Sequence, residues 1–264
     1  MSLIDDSIAA FLGSPGTGNS YLDSSSNKNH AAFIEDVVGG AKPSWSLDAT
    51  LGRYVLSTPA NAAGHRISSG VYSGWMATTI SFADVVPRSG QFAIAMWCYG
   101  VVSNDYFLCG NRYSNTAPRG WSLGMDSYGR PMFYVGGSSG YDRQWCDNSE
   151  PCQASQWNSI IVNADITSNN VDIYVNGSEP TGYFDVLDFT AVGDWTSYWR
   201  YMHIGTSALS TSIYSGGNPA NLTLGPMIFD RLLTSGEIST LQTVPDVPSV
   251  AAGGLLRVNL NGGI

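Results

Sequence analysis

The sequence predicts an all-β chain: one two-sheet antiparallel β-sandwich closed by a single short helical turn near its C-terminal side. Three stretches carry that prediction. In residues 157–177, WNSIIVNADITSNNVDIYVNG, Ile160, Val162 and Ala164 alternate with smaller or polar residues. Residues 165–170 are turn formers, and Val171, Ile173 and Val175 then alternate again. Period-two alternation marks a half-buried strand, and Asn176-Gly177 supplies the positive φ angles of a two-residue turn, so a further strand is expected beside residues 171–175. In residues 91–100, QFAIAMWCYG, both alternating sets are apolar, which places that strand mid-sheet and covered on both faces. In LLTSGEIST, Thr234 caps a helix whose third residue, Glu237, completes a capping box. Ile238 and Leu241 then face the sandwich, and Pro245 stops the turn.

Composition sets the class. The chain has 264 residues and no composition break, and its 30 Gly, 14 Tyr and 8 Trp suit buried aromatics and many tight turns. A net charge of −9 with only 12 scattered Lys and Arg excludes nucleic acid as a partner, and it disfavours an anionic membrane surface. No apolar run approaches the roughly 20 residues of a spanning helix. The opening MSLIDDSIAAFLGSPG lacks the basic region and apolar core of a secretory signal. Four cysteines are too few for a disulfide framework and read as small buried or loop residues made in a reducing compartment. Cys98 and Cys109 stand as candidate cross-strand neighbours. Cys146 and Cys152, bracketing CDNSEPC, are the better disulfide candidate.

Taken in order, residues 1–20 read as an N-terminal arm, residues 21–243 as the sandwich and residues 244–264 as a C-terminal arm. Short strands are expected within 45–57 and 65–71. Residues 75–83, WMATTISFA, alternate and are expected near a sheet edge. A meander follows at 106–110, 120–125 and 131–135, with Tyr128-Gly129 turning between its last two strands. Residues 201–205, YMHIG, form another strand, on which His203 is expected to be packed rather than to act as a ligand.

Several of these segments carry a family likeness. The Trp157 hairpin ending in YVNG, the QFAIAMWCYG strand, YMHIG, NLTLGPMIFDR and LLTSGEIST are together similar to laminin-G-like domains of the concanavalin A-like lectin/glucanase superfamily. The opening YLDSSSNKNHAAF also resembles the start of such domains, with Ser26 and Lys28 where glycines are usual. The resemblance spans residues 21–241 and implies a concanavalin A-like jelly roll. In the opening loop Asp23, Asn27 and Asn29 admit two readings. Asp and Asn side chains fold the backbone back on itself, and their oxygens also suit Ca²⁺, the one cofactor in view.

Three function classes remain. Glucanases share this fold, but a retaining enzyme needs two carboxylates about 5 Å apart. None of Glu35, Glu150, Glu179 and Glu237 sits in an E-x-D-x-E pattern, and Glu35-Asp36 points to opposite faces of a strand. There is no nucleophile elbow, and His30, His65 and His203 lack zinc spacing. Not an enzyme is the expectation. For binding, sugars favour aromatic faces beside a few polar groups. Residues 194–201, DWTSYWRY, gather Trp195, Tyr198, Trp199, Arg200 and Tyr201, and residues 141–145, YDRQW, add Tyr141, Arg143 and Trp145. The same rings equally suit packing or a protein interface. The third class is structural. An extracellular-type fold without an export signal is reconciled by a phage virion, assembled in the host cytoplasm and released by lysis. The expectation is a non-catalytic surface module of a virion (head decoration, fibre or adhesin), oligomeric, contacting other virion proteins or its own copies. A secreted or cell-surface lectin is the alternative.

Overall fold

The computed structural model describes residues 2–12, 16, 20–27, 31–35, 44–57, 65–69, 90–100, 106–110, 120–126, 128–137, 140–145, 151–179, 202–204 and 222–245. The chain opens with α1 (Leu3–Asp6), β1 (Ala9–Ala10), β2 (Ser20–Tyr21), β3 (Ala31–Glu35), β4 (Ser44–Asp48), β5 (Arg53–Ser57) and β6 (His65–Ser69). Its central strands are β7 (Gln91–Tyr99), β8 (Tyr106–Gly110), β9 (Gly120–Met125), β10 (Pro131–Gly137) and β11 (Gly140–Trp145). It finishes with β12 (Trp157–Asp165), β13 (Asn170–Val175), β14 (Met202–Ile204), β15 (Leu222–Phe229) and α2 (Ser235–Thr240).

These strands make two antiparallel sheets, as predicted. One runs β13-β12-β7-β15-β5-β4 with β1 beside β15, and the other runs β11-β10-β9-β8-β14-β6-β3-β2. The alternation of β7 explains how they meet. Phe92, Ile94 and Met96 point to the second sheet, where Phe92 lies 6.1 Å from Trp121 and 6.0 Å from Phe133 between ring centroids. Burying each such aromatic or aliphatic side chain contributes about 1.5–3 kcal/mol. The opposite set, Ala93, Ala95 and Trp97, is equally buried, beneath Leu233, Ile238 and Leu241 of the α2 segment. The first sheet is thus covered on both faces, and β7 lies mid-sheet.

Polar groups tie the α2 layer down. Trp97 Nε1 donates to the Leu241 carbonyl at 3.2 Å. Asn163 accepts from the Leu233 N–H at 2.8 Å and returns a bond to the Leu233 carbonyl at 2.9 Å. The expected capping box is present, with Thr234 as cap and Glu237 reaching back.

Several expectations change. Among the described residues β12 alone pairs with β13, so residues 171–175 stand at the end of that sheet order, and residues 180–201, after the turn from which a further strand was expected, lie outside the described residues. The Asn176-Gly177 turn has φ of 49° and 81°, but the chain returns only as a single bridge, Val175 to Ser178, among the described residues. Cys98 and Cys109 are free thiols on different sheets: Cys98 pairs in register with Asn158 and Thr223, and Cys109 with Leu123 and Ile204. Cys146 and the 75–83 strand lie outside the described residues.

The largest change concerns the N-terminal segment. It was expected as an arm, yet Ala9, Ala10, Phe11 and Leu12 are all at most 1 % exposed. Ala9 and Ala10 pair with Ile228 and Met227, filling the stretch of β15 that β5, paired at Leu222 and Thr223, does not reach. The Phe11 N–H donates to the Pro226 carbonyl, and the Gly225 N–H to the Phe11 carbonyl. Ala9 and Phe11 join the inter-sheet core, while Ala10 and Leu12 join the outer one. Outside, Arg231 holds Asp6 of α1 and Glu237 of α2 together.

Candidate functional site

Among the described residues, the best-defined constellation around an exposed aromatic is the β9–β10 turn with the loops beside it. Asp126 closes the turn: its Oδ1 accepts the N–H groups of Tyr128 and Arg130, each at 2.9 Å. Its Oδ2 accepts from the Arg130 guanidinium through Nε and Nη2. That guanidinium sits 4.8 Å from the centroid of the Tyr128 ring, and Tyr128 is 68 % exposed. Gly129, at φ 80°, makes the tight bend that puts the tyrosine at the tip.

A second loop is bonded to this turn. The Cys152 N–H donates to the Gly129 carbonyl at 2.9 Å. Next to it, fully buried Asn158 is a hub. Its Oδ1 accepts from the Gln153 N–H at 2.7 Å and from Asn176 Nδ2 at 3.1 Å. Its Nδ2 donates to the carbonyls of Gln153 and Gln156. Asn176 Oδ1 in turn accepts from the Ser159 N–H at 3.0 Å. The β9–β10 turn, loop 151–156 and the Asn176 turn are therefore one connected rim.

Among the described residues the shifted acids serve the fold. Glu237 is held at about 2, first by its bonds from Arg231, and Asp6 shares the same guanidinium. A glycosidase acid needs the opposite shift. Asp165 is held below the usual carboxylate range, chiefly by the Thr167 hydroxyl at 2.7 Å, as part of the β12–β13 turn. Burial pushes the Tyr21 phenol up, and its O–H donates to the Phe11 carbonyl.

The residues singled out in the sequence divide three ways. Asp23 and Asn27 are described, and they clamp the N-terminal segment. Asp23 Oδ1 accepts the N–H groups of Ala10 and Ser25 at 2.8 Å, Oδ2 accepts the Ser25 hydroxyl at 2.8 Å, and Asn27 Nδ2 donates to the Ile8 carbonyl at 3.0 Å. With Asp23 2 % exposed and ringed by donors, the two described residues shape the loop. Asn29 lies outside the described residues. Tyr141, Arg143 and Trp145 are not on a loop but on β11, the last strand of its sheet among the described residues, in register with Gly136, Tyr134 and Met132. Position 145 is the one toward the Tyr128 turn. Trp195, Tyr198, Trp199, Arg200 and Tyr201 lie outside the described residues. Tyr128 itself was read only as part of a turn. The signal that could have found it is the five-residue string DSYGR, an Asp cap, a Tyr-Gly bend and an Arg four residues after the Asp.

Comparison with known proteins fixes the family. A laminin-G model of the concanavalin A-like lectin/glucanases superfamily matches residues 74–239. The chain belongs to this superfamily. The matched span includes the whole rim and leaves the Asp23 loop outside. Among solved structures, the chain is similar to the receptor binding domain of botulinum neurotoxin C/D mosaic serotype, at 12% identity and TM-score 0.59, covering 90% of this chain and 51% of that one. It is similar to the binding domain of botulinum neurotoxin DC in complex with rat synaptotagmin II, at 15% identity and TM-score 0.56, covering 91% and 52%. A third is a structure of botulinum neurotoxin type C, which depends on interaction with two ganglioside molecules to enter cells, at 15% identity and TM-score 0.58, covering 91% and 51%. The chain spans about half the length of these structures, and at such identities the likeness is one of fold. No curated protein matches the chain.

Proposed function

We propose that this laminin-G-like protein is a non-catalytic recognition module, working as a surface component of a phage virion beside other virion proteins or its own copies. The observation that carries the recognition reading is the rim itself, an exposed aromatic fixed by a bonded framework of turns. Structural relatives that bind a protein receptor or gangliosides support it as neighbours in fold. The virion form draws support from the acidic, glycine- and tyrosine-rich composition and from the free thiols of Cys98 and Cys109, which suit folding in a reducing host cytoplasm.

The test is to delete residues 247–264 and measure both melting and incorporation into particles. Loss of incorporation at an unchanged melting temperature is expected. Unimpaired incorporation, or a full-length chain that is a lone monomer binding a soluble glycan tightly, puts the secreted carbohydrate-binding reading in its place. No release of sugar ends from laminarin, alginate or agarose is expected; release abolished by one acidic substitution would overturn the non-catalytic part.

A further inference from the structure

The turn after β13 carries a reactive pair that the fold holds in check. Asn176 is followed by Gly177, which has no side chain to hinder attack by its N–H on the Asn176 amide. Asn176 is exposed to water, and the Gly177 N–H makes no hydrogen bond among the described residues. Attack by that nitrogen on Cγ of Asn176 closes a cyclic imide and expels Nδ2 as ammonia, which takes the proton of the N–H with it. Water then opens the imide at either carbonyl, leaving aspartate or iso-aspartate. Water is the only co-reactant.

Both ends of the reacting amide are tied. Oδ1 accepts from the Ser159 N–H at 3.0 Å, and Nδ2 donates to Asn158 Oδ1 at 3.1 Å. The imide ring takes in Cγ and the main-chain carbonyl carbon of Asn176. To close it, the side chain has to swing from β12 onto its own backbone, so local opening of this latch is the gate. The product does not fit back. An aspartate oxygen in place of Nδ2 faces Asn158 Oδ1, acceptor to acceptor. Turning the Asn158 amide over brings no relief, because that residue is fully buried and each of its polar atoms is already bonded to loop 151–156. Iso-aspartate adds a main-chain methylene to a turn closed by the Val175–Ser178 bonds of 2.9 and 3.0 Å. Either product releases the Asn176 turn from loop 151–156.

We infer that Asn176 is a site of spontaneous, irreversible deamidation, gated by its bonds to Asn158 and Ser159, and that conversion unlatches the rim. The experiment incubates the full-length protein at neutral and mildly alkaline pH, native and unfolded in urea. Mass spectrometry of the peptide carrying Asn176, with iso-aspartate separated by chromatography, reads the conversion. Native wild type is expected to convert about tenfold or more slowly than the unfolded chain. Asn158→Ala, freed of one tether, is expected to convert about fivefold faster than native wild type. Asn176→Asp, which is one of the two products, is expected to melt below the wild type. Equal rates in the native and unfolded chains overturn the gate, and no conversion even in urea overturns the site. An Asn176→Asp melt coincident with the wild type overturns the unlatching. Should Asn158→Ala not fold, wild type in urea below its unfolding midpoint decides. A rate that climbs there supports the local gate, and one that stays flat until global unfolding overturns it.

Discussion

Replacing Asp23 by Ala separates a structural carboxylate from a calcium ligand. The substitution removes the acceptor of two backbone N–H groups, those of Ala10 and Ser25, both at 2.8 Å. Both residues are 0 % exposed, so water cannot take its place. A buried donor left unsatisfied costs about 1–3 kcal/mol, so the pair should cost about 2–6 kcal/mol. For a chain of this size that lowers Tm by roughly 4–20 °C. Asp23→Asn keeps an oxygen for both donors and should cost about 1–2 kcal/mol. Differential scanning fluorimetry of all three proteins, in calcium and in chelator, reads the answer. Ligands of the native state raise stability by RT ln(1 + [L]/Kd), so calcium should leave the wild-type melt in place if the carboxylate is a clamp. Two results refute the reasoning: an Ala variant that melts with the wild type, or a chelator that lowers the wild type as far as the Ala substitution does.

Asn163→Ala should strip both polar groups of Leu233 of their partner and cost about 2–4 kcal/mol in urea denaturation, loosening α2. Glu237 titrates from 4.5 down to about 2 in the fold, so its stabilisation is fully present above the upper value and is lost as pH falls toward the lower one. Arg231→Met should remove that slope, read by denaturation across the interval. Two glycines should respond in opposite ways to Ala. At Gly110 a Cβ would stand 2.5 Å from the Trp121 carbonyl oxygen, so the variant should fail to accumulate folded. At Gly52, φ 64° with open space around it, only the backbone cost of about 1 kcal/mol is expected.

How much of this was legible follows from which forces are local. The β7 strand and the α2 cap were readable because an all-apolar alternation and a Thr-x-x-Glu box are complete within a few residues. The place of β13 at the end of its sheet among the described residues was not, since sheet order is decided by partners far away in sequence. AAFL at residues 9–12 is too short to show a period, and its partner β15 lies at the other end of the chain. Asp23 was found by its residue type with its role left open, because the donors that surround it come partly from Ala10. Aromatic density drew attention to YDRQW, which pairing with β10 turns into a strand. The lone tyrosine of DSYGR has no density to notice. Its exposure depends on an aspartate and an arginine that bond to each other.

The pairing of β1 with β15 also imposes an order on the making of the protein. Phe11 and Tyr21 are synthesised long before the backbone that closes over them, Gly225 to Ile228. Contacts this far apart in sequence form late and slowly, because the loop between them must be closed first. During synthesis the opening segment is an apolar strand with no sheet to join. It is then exposed to the pairing errors that unfinished β-proteins suffer, and to whatever chaperone meets it first. A ribosome stalled short of residue 225 would hold a chain whose first strand still lacks its seat.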